Sequence, residues 1–168
     1  MPELDDLARY NKDRWEELAG AHIAYSRPFL DMDRAAARRF IDSAGLLGDI
    51  AGESVLCLAS GGGQQSVAFA LLGADVTVLD LSHTQLERDR IAAAHYGLSV
   101  TAVQGDMRDL SRFEPDSFDV VYHAYSINFV PDVRPVHRQV ARVLRPGGLY
   151  RMQWANPFTQ TVDDTSWN

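Results

Sequence analysis

The chain has 168 residues, of which 46% are hydrophobic and 23% are charged, and its formal net charge is −7. This length suits one domain with a sizeable core, and the acidic balance argues against broad nucleic-acid binding, which usually requires a basic face. No apolar run approaches the roughly 20 residues that a membrane-spanning helix needs. The single cysteine, Cys57, excludes a disulfide within the chain. The N-terminal sequence is polar and acidic and shows no signal peptide, so we expect a cytoplasmic protein.

Two helices are predicted before the first strand. The apolar positions of residues 1–19 indicate the first helix, and residues 20–30 are predicted to form an ordered loop. Asp31 or Asp33 can cap the second helix, which is expected to run to about residue 44 and to end before a glycine.

Strands and helices alternate from residue 54 onwards. Apolar runs bounded by turn residues predict five strands, at residues 54–59, 75–79, 99–103, 118–124 and 149–154. Ser82 and Gln85 have the spacing of a capping box, which predicts a helix start after the second strand. Strands separated by helices imply right-handed crossovers. The predicted fold is therefore an α/β, Rossmann-like, doubly wound sheet that is mostly parallel and carries helices on both faces.

Residues 55–63 predict a ligand site at the end of the first strand. The apolar run stops at Ser60 and three glycines, and a helix-forming run follows at once. Glycines let a ligand lie against the backbone, and a helix start offers free N–H groups that favour an anionic ligand group. Asp80, at the end of the second strand, can hold a ribose diol. Together these features predict a cofactor that contains a nucleoside.

Three cofactor classes use such a turn, namely NAD(P), FAD and S-adenosylmethionine. The dinucleotide fingerprint G-x-G-x-x-G would fall on Gly61, Gly63 and Ser66, so its third glycine is missing. A phosphate-binding P-loop is excluded because no Gly-Lys-Ser/Thr sequence follows the glycines.

The whole pattern resembles the class I S-adenosylmethionine-dependent methyltransferases at five ordered points within residues 45–155. Residues 55–63 are similar to the first motif of that family, and Asp80 to the acid that binds the ribose hydroxyls. Residues 105–107 are similar to the segment whose acid accepts from the adenine amino group and whose next residue packs on the ring. Residues 118–121 and 144–148 are similar to the start of strand four and the turn before strand five.

The resemblance implies S-adenosylmethionine as the cofactor and no metal. The residues implied to bind the cofactor are Ala59, Ser60, Gly61, Gly62, Gly63, Gln64, Asp80, Leu81, Gly105, Asp106, Met107 and His123. Two positions depart from the family pattern. Cys57 stands where the family has an acid that helps to organise the loop, and Ala59 stands where it has the first glycine. Gln64 or Gln65 is expected to compensate.

Methyl transfer needs a dry pocket and a nucleophile held about 3–3.5 Å from the methyl carbon. A general base is needed only if the acceptor must lose a proton. His123 and Tyr125 lie where strand four ends, and strand alternation would place both on the same side. His123 is the candidate base, but a core or positioning role is the preferred interpretation, and Tyr125 can shape the methionine pocket.

The resemblance also carries expectations about the two ends of the chain. Because an N-terminal helix covers the cofactor in many members of the family, residues 1–45 are predicted to form a helical lid segment. Residues 46–168 are then the Rossmann-like domain that binds S-adenosylmethionine. The family sheet ends in an antiparallel hairpin of two further strands, which we expect to be missing from a C-terminally truncated domain. Strand five would then be a sheet edge, and we expect either self-association through it or coverage by residues 155–168 folding back.

The first choice of function is methyl transfer to a small-molecule acceptor. The sequence lacks the Asn/Asp-Pro-Pro-Tyr/Phe motif that methyltransferases acting on nucleic-acid bases often carry, so no nucleic-acid or membrane partner is expected. One alternative is a non-catalytic module that binds S-adenosylmethionine. Another is an NAD(P)-dependent oxidoreductase, which would need a group such as Tyr-x-x-x-Lys, whereas the only lysine, Lys12, lies far from strand four.

Overall fold

The computed structural model describes residues 4–21 and 23–154, and these build a five-stranded sheet with helices on both faces. The strands are β1 (Ser54–Leu58), β2 (Asp75–Asp80), β3 (Thr101–Gln104), β4 (Phe118–Ala124) and β5 (Leu144–Gln153). Their order is β3-β2-β1-β4-β5, and all four pairs are parallel. The predicted doubly wound α/β fold is confirmed.

Five helices connect and cover the strands. They are α1 (Asp6–Gly20), α2 (Arg34–Ile41), α3 (Gln65–Leu71), α4 (His83–His95) and α5 (Arg134–Val143), with short 3₁₀ turns at Ala24–Ser26 and Ser126–Phe129. The predicted cap of α4 is confirmed, because the Ser82 hydroxyl accepts from the N–H of Gln85 at 3.1 Å. Of the two candidate caps for α2, Asp33 is the one observed, and it accepts from the N–H of Ala36 at 2.6 Å.

Several boundaries differ from the sequence prediction. Strand β3 runs from Thr101 to Gln104 rather than over residues 99–103, the ends of β1 and β2 shift by one residue, and the boundaries of α2 and β5 move further. Helix α2 ends at Ile41 rather than near residue 44, because Asp42 leaves the helical backbone and its carboxylate accepts from the N–H groups of Leu46 and Leu47. Strand β5 begins at Leu144, earlier than predicted, because that residue already pairs with Phe118. A register irregularity between Phe118 and Val120 absorbs the glycine turn that was expected to precede the strand.

The core has two halves, one on each face of the sheet. Alternate residues of β1 point to opposite faces, so Val55 and Cys57 join the helices α2, α3 and α4 on one side. Leu56 and Leu58 pack with Val140 and its neighbours in α5 on the other side. Four of the five β1 residues are buried, as expected for a strand flanked by two parallel neighbours.

The order of the strands places a ligand crevice. The chain runs outward from β1 through β2 to β3, and then crosses to β4 and β5 on the other side of β1. In sheets of this kind, ligands bind outside the carboxyl ends of the strands where the direction of winding changes. That point lies at the ends of β1 and β4.

Strand β5 is one of the two outer strands among the residues that the structure describes, and β3 is the other. The expectations about a missing hairpin and a truncated domain fall on residues 155–168, outside the described part. Self-association along β5 stays a prediction. Within residues 4–21 and 23–154, no helix is long and apolar enough to cross a membrane.

Candidate functional site

A cavity of about 530 Å³ lies at the carboxyl ends of the central strands. Its size falls within the range of about 300–1,000 Å³ that is usual for small-molecule sites. Its wall is rich in aromatic side chains, which are Trp15, Tyr25, Phe29, Phe40, Tyr122, Tyr125 and Phe129. The remaining wall is mostly backbone of the glycine turn, small residues and side-chain amides.

The structure brings most of the predicted site residues to this cavity. Those in its wall are Ala59, Ser60, Gly61, Gln64, Asp80, Leu81, Gly105, Met107 and Tyr125. Gly62, Gly63, Asp106 and His123 are not among the lining residues. The cavity therefore lies where the sequence placed the cofactor, although four predicted residues lie behind or beside it.

The N–H groups of the glycine turn are already bonded to carboxylates of the chain itself. Gly61 donates to Asp80 Oδ2 at 2.9 Å, and Gly62 and Gly63 donate to the two oxygens of Asp89, each at 3.0 Å. The N–H groups of Gly61, Gly62 and Gly63 are therefore already occupied, and the expected binding of an anionic ligand group at the start of α3 stays a prediction.

Close packing against α4 explains why the turn consists of glycines. A Cβ atom on Gly61 would lie 2.7 Å from the Cβ of Gln85, and one on Gly63 would lie 2.7 Å from the carbonyl oxygen of Arg88. Gly63 also has φ +74°, which side chains rarely tolerate. Ala59, in the place of the first family glycine, adopts φ 46°. The glycines thus serve the packing of the protein as well as any approach by a ligand.

Asp89 is the site residue that the sequence reasoning missed. It lies on α4, is fully buried, and accepts from the Ser66 hydroxyl in addition to Gly62 and Gly63. Burial raises the pKa of Asp89 to about 7. The signal in the sequence was an acid on the core-facing side of a helix, where a carboxylate needs partners.

The expected compensation by Gln64 or Gln65 takes a different form. The Nε2 of Gln64 donates to the carbonyl oxygens of Tyr25 and Arg27, at 3.2 and 2.8 Å. Gln64 therefore fastens the segment after α1 to the start of α3, while Gln65 lines the cavity. The carboxylate that organises the glycine turn comes from Asp89 instead.

Asp80 presents its carboxylate to the cavity from the end of β2. One oxygen accepts from the N–H of Gly61, and the other accepts from the N–H of Ser82 at 2.9 Å. Burial raises the pKa of the Asp80 carboxyl, against the lowering effect of these two N–H groups. A carboxylate oxygen can accept a second hydrogen bond, so Asp80 keeps acceptor capacity toward a ligand.

Asp106 is turned toward an arginine rather than into the cavity. Its carboxylate accepts from the guanidinium of Arg108, with Nη2 at 2.6 Å, and the same guanidinium bonds both oxygens of Asp5. The hydrogen bond from Arg108 lowers the pKa of Asp5 to about 2. Gly105 and Met107, on either side of Asp106, do line the cavity. The implied contact of Asp106 with adenine stays a prediction.

Helix α1 forms one side of the cavity. Asn11 and Trp15 are in the wall, and the Asn11 amide donates to the carbonyl oxygen of Phe129 at 3.0 Å. The rings of Trp15 and Phe129 meet edge to face, with centroids 5.7 Å apart. Glu16 accepts from the N–H of His83 at 2.6 Å, at the start of α4. The helix thus lies where a lid would lie, and its opening and closing stay a prediction.

His123 and Tyr125 do not share a side of the sheet at the site. His123 is fully buried on the α5 face, where its Nδ1 lies 2.9 Å from the hydroxyl of Tyr150. Burial lowers the pKa of His123 to about 4, so the ring is neutral at pH 7. Tyr125 follows the end of β4 with φ 60°, which breaks the alternation and carries its side chain to the cavity. The position of His123 does not support a role as base.

The comparisons with known proteins agree with this geometry. A family model described as a methyltransferase domain matches residues 56–152. YbaJ, an uncharacterized methyltransferase of Bacillus subtilis (strain 168), is 49% identical over 114 residues, which are 68% of this chain and 45% of that protein. A ubiquinone biosynthesis O-methyltransferase of Photorhabdus laumondii is 36% identical over 101 residues, or 60% of this chain and 42% of that protein.

The solved structures include proteins of the same fold. The PH0226 protein of Pyrococcus horikoshii OT3 superposes with a TM-score of 0.63 at 27% identity, covering 79% of this chain and 64% of that one. The chain spans less than half the length of the two curated relatives named above. The family model nevertheless covers more than half of the chain and all five strands at least in part. The chain therefore belongs to the methyltransferase domain family of class I S-adenosylmethionine-dependent methyltransferases.

Proposed function

We propose that this chain binds S-adenosylmethionine in the cavity and transfers its methyl group to a small-molecule acceptor. The observation that carries the proposal is the pairing of Asp80 with the glycine turn in the cavity wall. Asp80 offers acceptor capacity for a ribose diol, and Ser60 and Gly61 offer backbone beside it. When bound, the cofactor supplies a methyl group already activated on a positively charged sulfur.

The hydrogen bonds within the glycine turn favour S-adenosylmethionine over a dinucleotide. NAD(P) and FAD carry a pyrophosphate, which in their binding sites lies at the glycine turn on free N–H groups. Here Asp80 and Asp89 occupy the N–H groups of Gly61, Gly62 and Gly63. A pyrophosphate at this turn would find these donors already taken by side chains of the protein, whereas the sulfonium and ammonium groups of S-adenosylmethionine need no such donors.

The cavity wall favours an uncharged acceptor. Among the described residues in the wall, Asp80 is the only Asp, Glu, Lys or Arg. An anionic acceptor group buried there would meet no Lys or Arg of the described wall, and a cationic one would meet only Asp80, which the ribose of the cofactor would occupy; either is costly in a site that excludes water. The aromatic wall offers area to a planar or apolar molecule instead.

Neutral polar groups can orient such an acceptor. Ser126 lies in the wall, and within the described part of the chain its buried hydroxyl has no hydrogen-bond partner. The hydroxyl of Tyr122 donates to the side-chain oxygen of Gln153 at 3.0 Å, which fixes that amide beside the cavity. These residues bind and orient rather than remove a proton. The proposal therefore suits an acceptor atom that can attack without a strong base from this wall.

Calorimetric titration tests the cofactor. We expect S-adenosylmethionine and S-adenosylhomocysteine to bind and NADH not to bind. Asp80→Asn should weaken S-adenosylhomocysteine binding by roughly 10- to 100-fold, because a hydrogen bond to a charged group is lost. Asp75→Asn, at the exposed start of the same strand, is the matched control and should leave the affinity unchanged. Binding of NADH without S-adenosylhomocysteine would overturn the proposal.

A transfer assay tests the acceptor class. Methyl-labelled S-adenosylmethionine is incubated with the protein and with pairs of acceptors that share a skeleton and differ in one ionised group. We expect label to appear on neutral members of the pairs. Tight cofactor binding with no transfer to any member would favour the alternative of a non-catalytic binding module, and preference for the ionised members would contradict the neutral site.

A further inference from the structure

The glycine turn is hydrogen-bonded to a carboxylate that comes from a distant part of the chain. The buried Asp89 of α4 accepts from the N–H groups of Gly62 and Gly63 at 3.0 Å and also from the hydroxyl of Ser66. The N–H of Gly62 is shared with the carbonyl oxygen of Gln85 at 3.2 Å. Asp89 is thus the hydrogen-bond acceptor of the Gly63 N–H, and Gly63 is buried away from water.

The strand beneath the turn supplies no charge of its own. Cys57 lies in the middle of β1, is fully buried, and belongs to the core half that faces α3 and α4. Burial, followed by the negative charge of Asp89, raises the pKa of the Cys57 thiol well above its usual value, so the thiol stays neutral. Cys57 therefore lies on the face of the sheet that is covered by α4, the helix that carries Asp89.

We propose that Asp89 is the positioning residue of the cofactor site, acting through the turn in place of a carboxylate at position 57. This inference rests on the proposed binding of S-adenosylmethionine. Asp89 does not line the cavity, and it acts by holding Gly62 and Gly63 at φ +124° and +74°. Ser60 and Gly61, which do line the cavity, precede these residues directly. A shift of the held part of the turn therefore moves the wall against which the cofactor lies.

Removal of the carboxylate tests this role. In Asp89→Asn the side chain keeps its shape, but whichever way the amide is oriented, an N–H of the turn faces a donor instead of an acceptor. We expect the affinity for S-adenosylhomocysteine, measured by calorimetry, to fall at least tenfold while the circular dichroism spectrum is retained. Glu87→Gln removes an exposed charge two residues away on the same helix and should leave the affinity unchanged.

Relocation of the carboxylate separates positioning from general stability. Cys57→Asp alone places a second carboxylate near Asp89 and should lower the melting temperature. The double variant Cys57→Asp/Asp89→Asn has one carboxylate again, and we expect it to recover S-adenosylhomocysteine affinity to within about threefold of the original protein. An affinity unchanged in Asp89→Asn, or a double variant that folds stably and binds no better than Asp89→Asn, would overturn the proposal.

Amide exchange measured by NMR gives a readout without ligand. The N–H of Gly63 should exchange faster in Asp89→Asn, while that of Leu56 in β1 should not. If Asp89→Asn does not fold, Asp89→Glu takes its place, since the longer side chain moves the carboxylate away from the N–H groups of Gly62 and Gly63. Unchanged exchange at Gly63 in the variant used would overturn the proposal. If the original protein binds neither S-adenosylmethionine nor S-adenosylhomocysteine, the proposed function fails, but the exchange data still decide whether Asp89 holds the turn.

Discussion

Trp15 of α1 packs edge to face on Phe129, the last residue of the 3₁₀ turn after β4, with ring centroids 5.7 Å apart. This contact joins the N-terminal helix to the central part of the sheet across the cavity. Replacement of Trp15 by alanine should therefore affect both stability and ligand binding.

Trp15→Ala should lower the free energy of unfolding by about 2 kcal/mol, less than the loss for a fully buried tryptophan, because the side chain is only partly buried. Urea unfolding measures this change, and calorimetry should show weaker binding of S-adenosylhomocysteine. Tyr10→Ala removes an aromatic ring that is 62% exposed on the same helix. It should lower the free energy of unfolding by less than about 0.5 kcal/mol, as is usual for a surface site. Equal losses in the two variants would show that the contact with Phe129 contributes nothing.

Gly61→Ala should destabilise the protein itself. The added Cβ would lie 2.7 Å from the Cβ of Gln85, so α4 or the turn must move, at a cost of roughly 1–3 kcal/mol for overpacking. Thermal unfolding of the ligand-free protein measures the effect.

Gly20→Ala is the control for that substitution. Gly20 ends α1, and a Cβ there would meet nothing within 4 Å. Alanine is also the better helix former, so this variant should be neutral or slightly more stable. If Gly61→Ala has the same melting temperature as Gly20→Ala, close packing is not the reason for the glycine at position 61.

Asp89 and His123 give the stability of the protein opposite dependences on pH. The pKa of Asp89 is raised to about 7, so the folded state holds a proton that the unfolded chain releases, and the contribution to stability is lost as pH rises toward 7. The pKa of His123 is lowered to about 4, so its contribution is present above pH 6.5 and is lost as pH falls toward 4. Between about pH 4 and 6.5 the two effects oppose each other.

Two variants should reveal these slopes separately. In Asp89→Asn, stability between pH 5 and 6.5 should fall more steeply on acidification than in the original protein. In His123→Gln it should instead rise on acidification, relative to the original protein. Each change should approach about 1.4 kcal/mol per pH unit at most. Urea midpoints at several pH values measure the slopes, and parallel curves for all three proteins would contradict both assignments.

Strand β5 predicts self-association of the chain. It is one of the two outer strands of the described sheet, and Leu149 on it is 38% exposed. Exposed strand edges pair with other chains, and lysine on an edge opposes such pairing. Leu149→Lys should therefore shift the sedimentation profile toward monomer. Leu46→Lys changes another exposed leucine, outside the sheet, and should have no effect. A profile of the original protein that stays monomeric at high concentration would reject the prediction.

Local patterns in the sequence predicted the fold well. The alternation of strands and helices follows from hydrophobic periodicity and turn residues, which act over a few residues, and β4 was found at residues 118–124 as predicted. The end of α2 was misplaced because the carboxylate of Asp42 bonds backbone groups beyond it, and no propensity scale contains that contact.

The site was less predictable because it depends on contacts between distant residues. The bond between Gly63 and Asp89 spans 26 positions, and the one between Asn11 and Phe129 spans 118. His123 and Tyr125 were expected on the same side because strand alternation was extended one residue beyond β4, to Tyr125. Tyr125 has left-handed backbone there, which a tyrosine adopts only when its surroundings require it.

The pairing of β1 with β4 also affects the order in which the parts of the protein fold. Val55 pairs with Val120, 65 residues further along the chain, whereas Ser54 pairs with Asp75 on the other side. Closing so long a loop is entropically costly, so this pairing should form after the local helices and the β1–β2 pair during refolding. The floor of the cavity exists only once β1 and β4 lie side by side. During refolding, the gain of S-adenosylhomocysteine binding should therefore lag behind the recovery of helical circular dichroism. The amount of bound ligand would then measure the fraction of molecules that have folded completely.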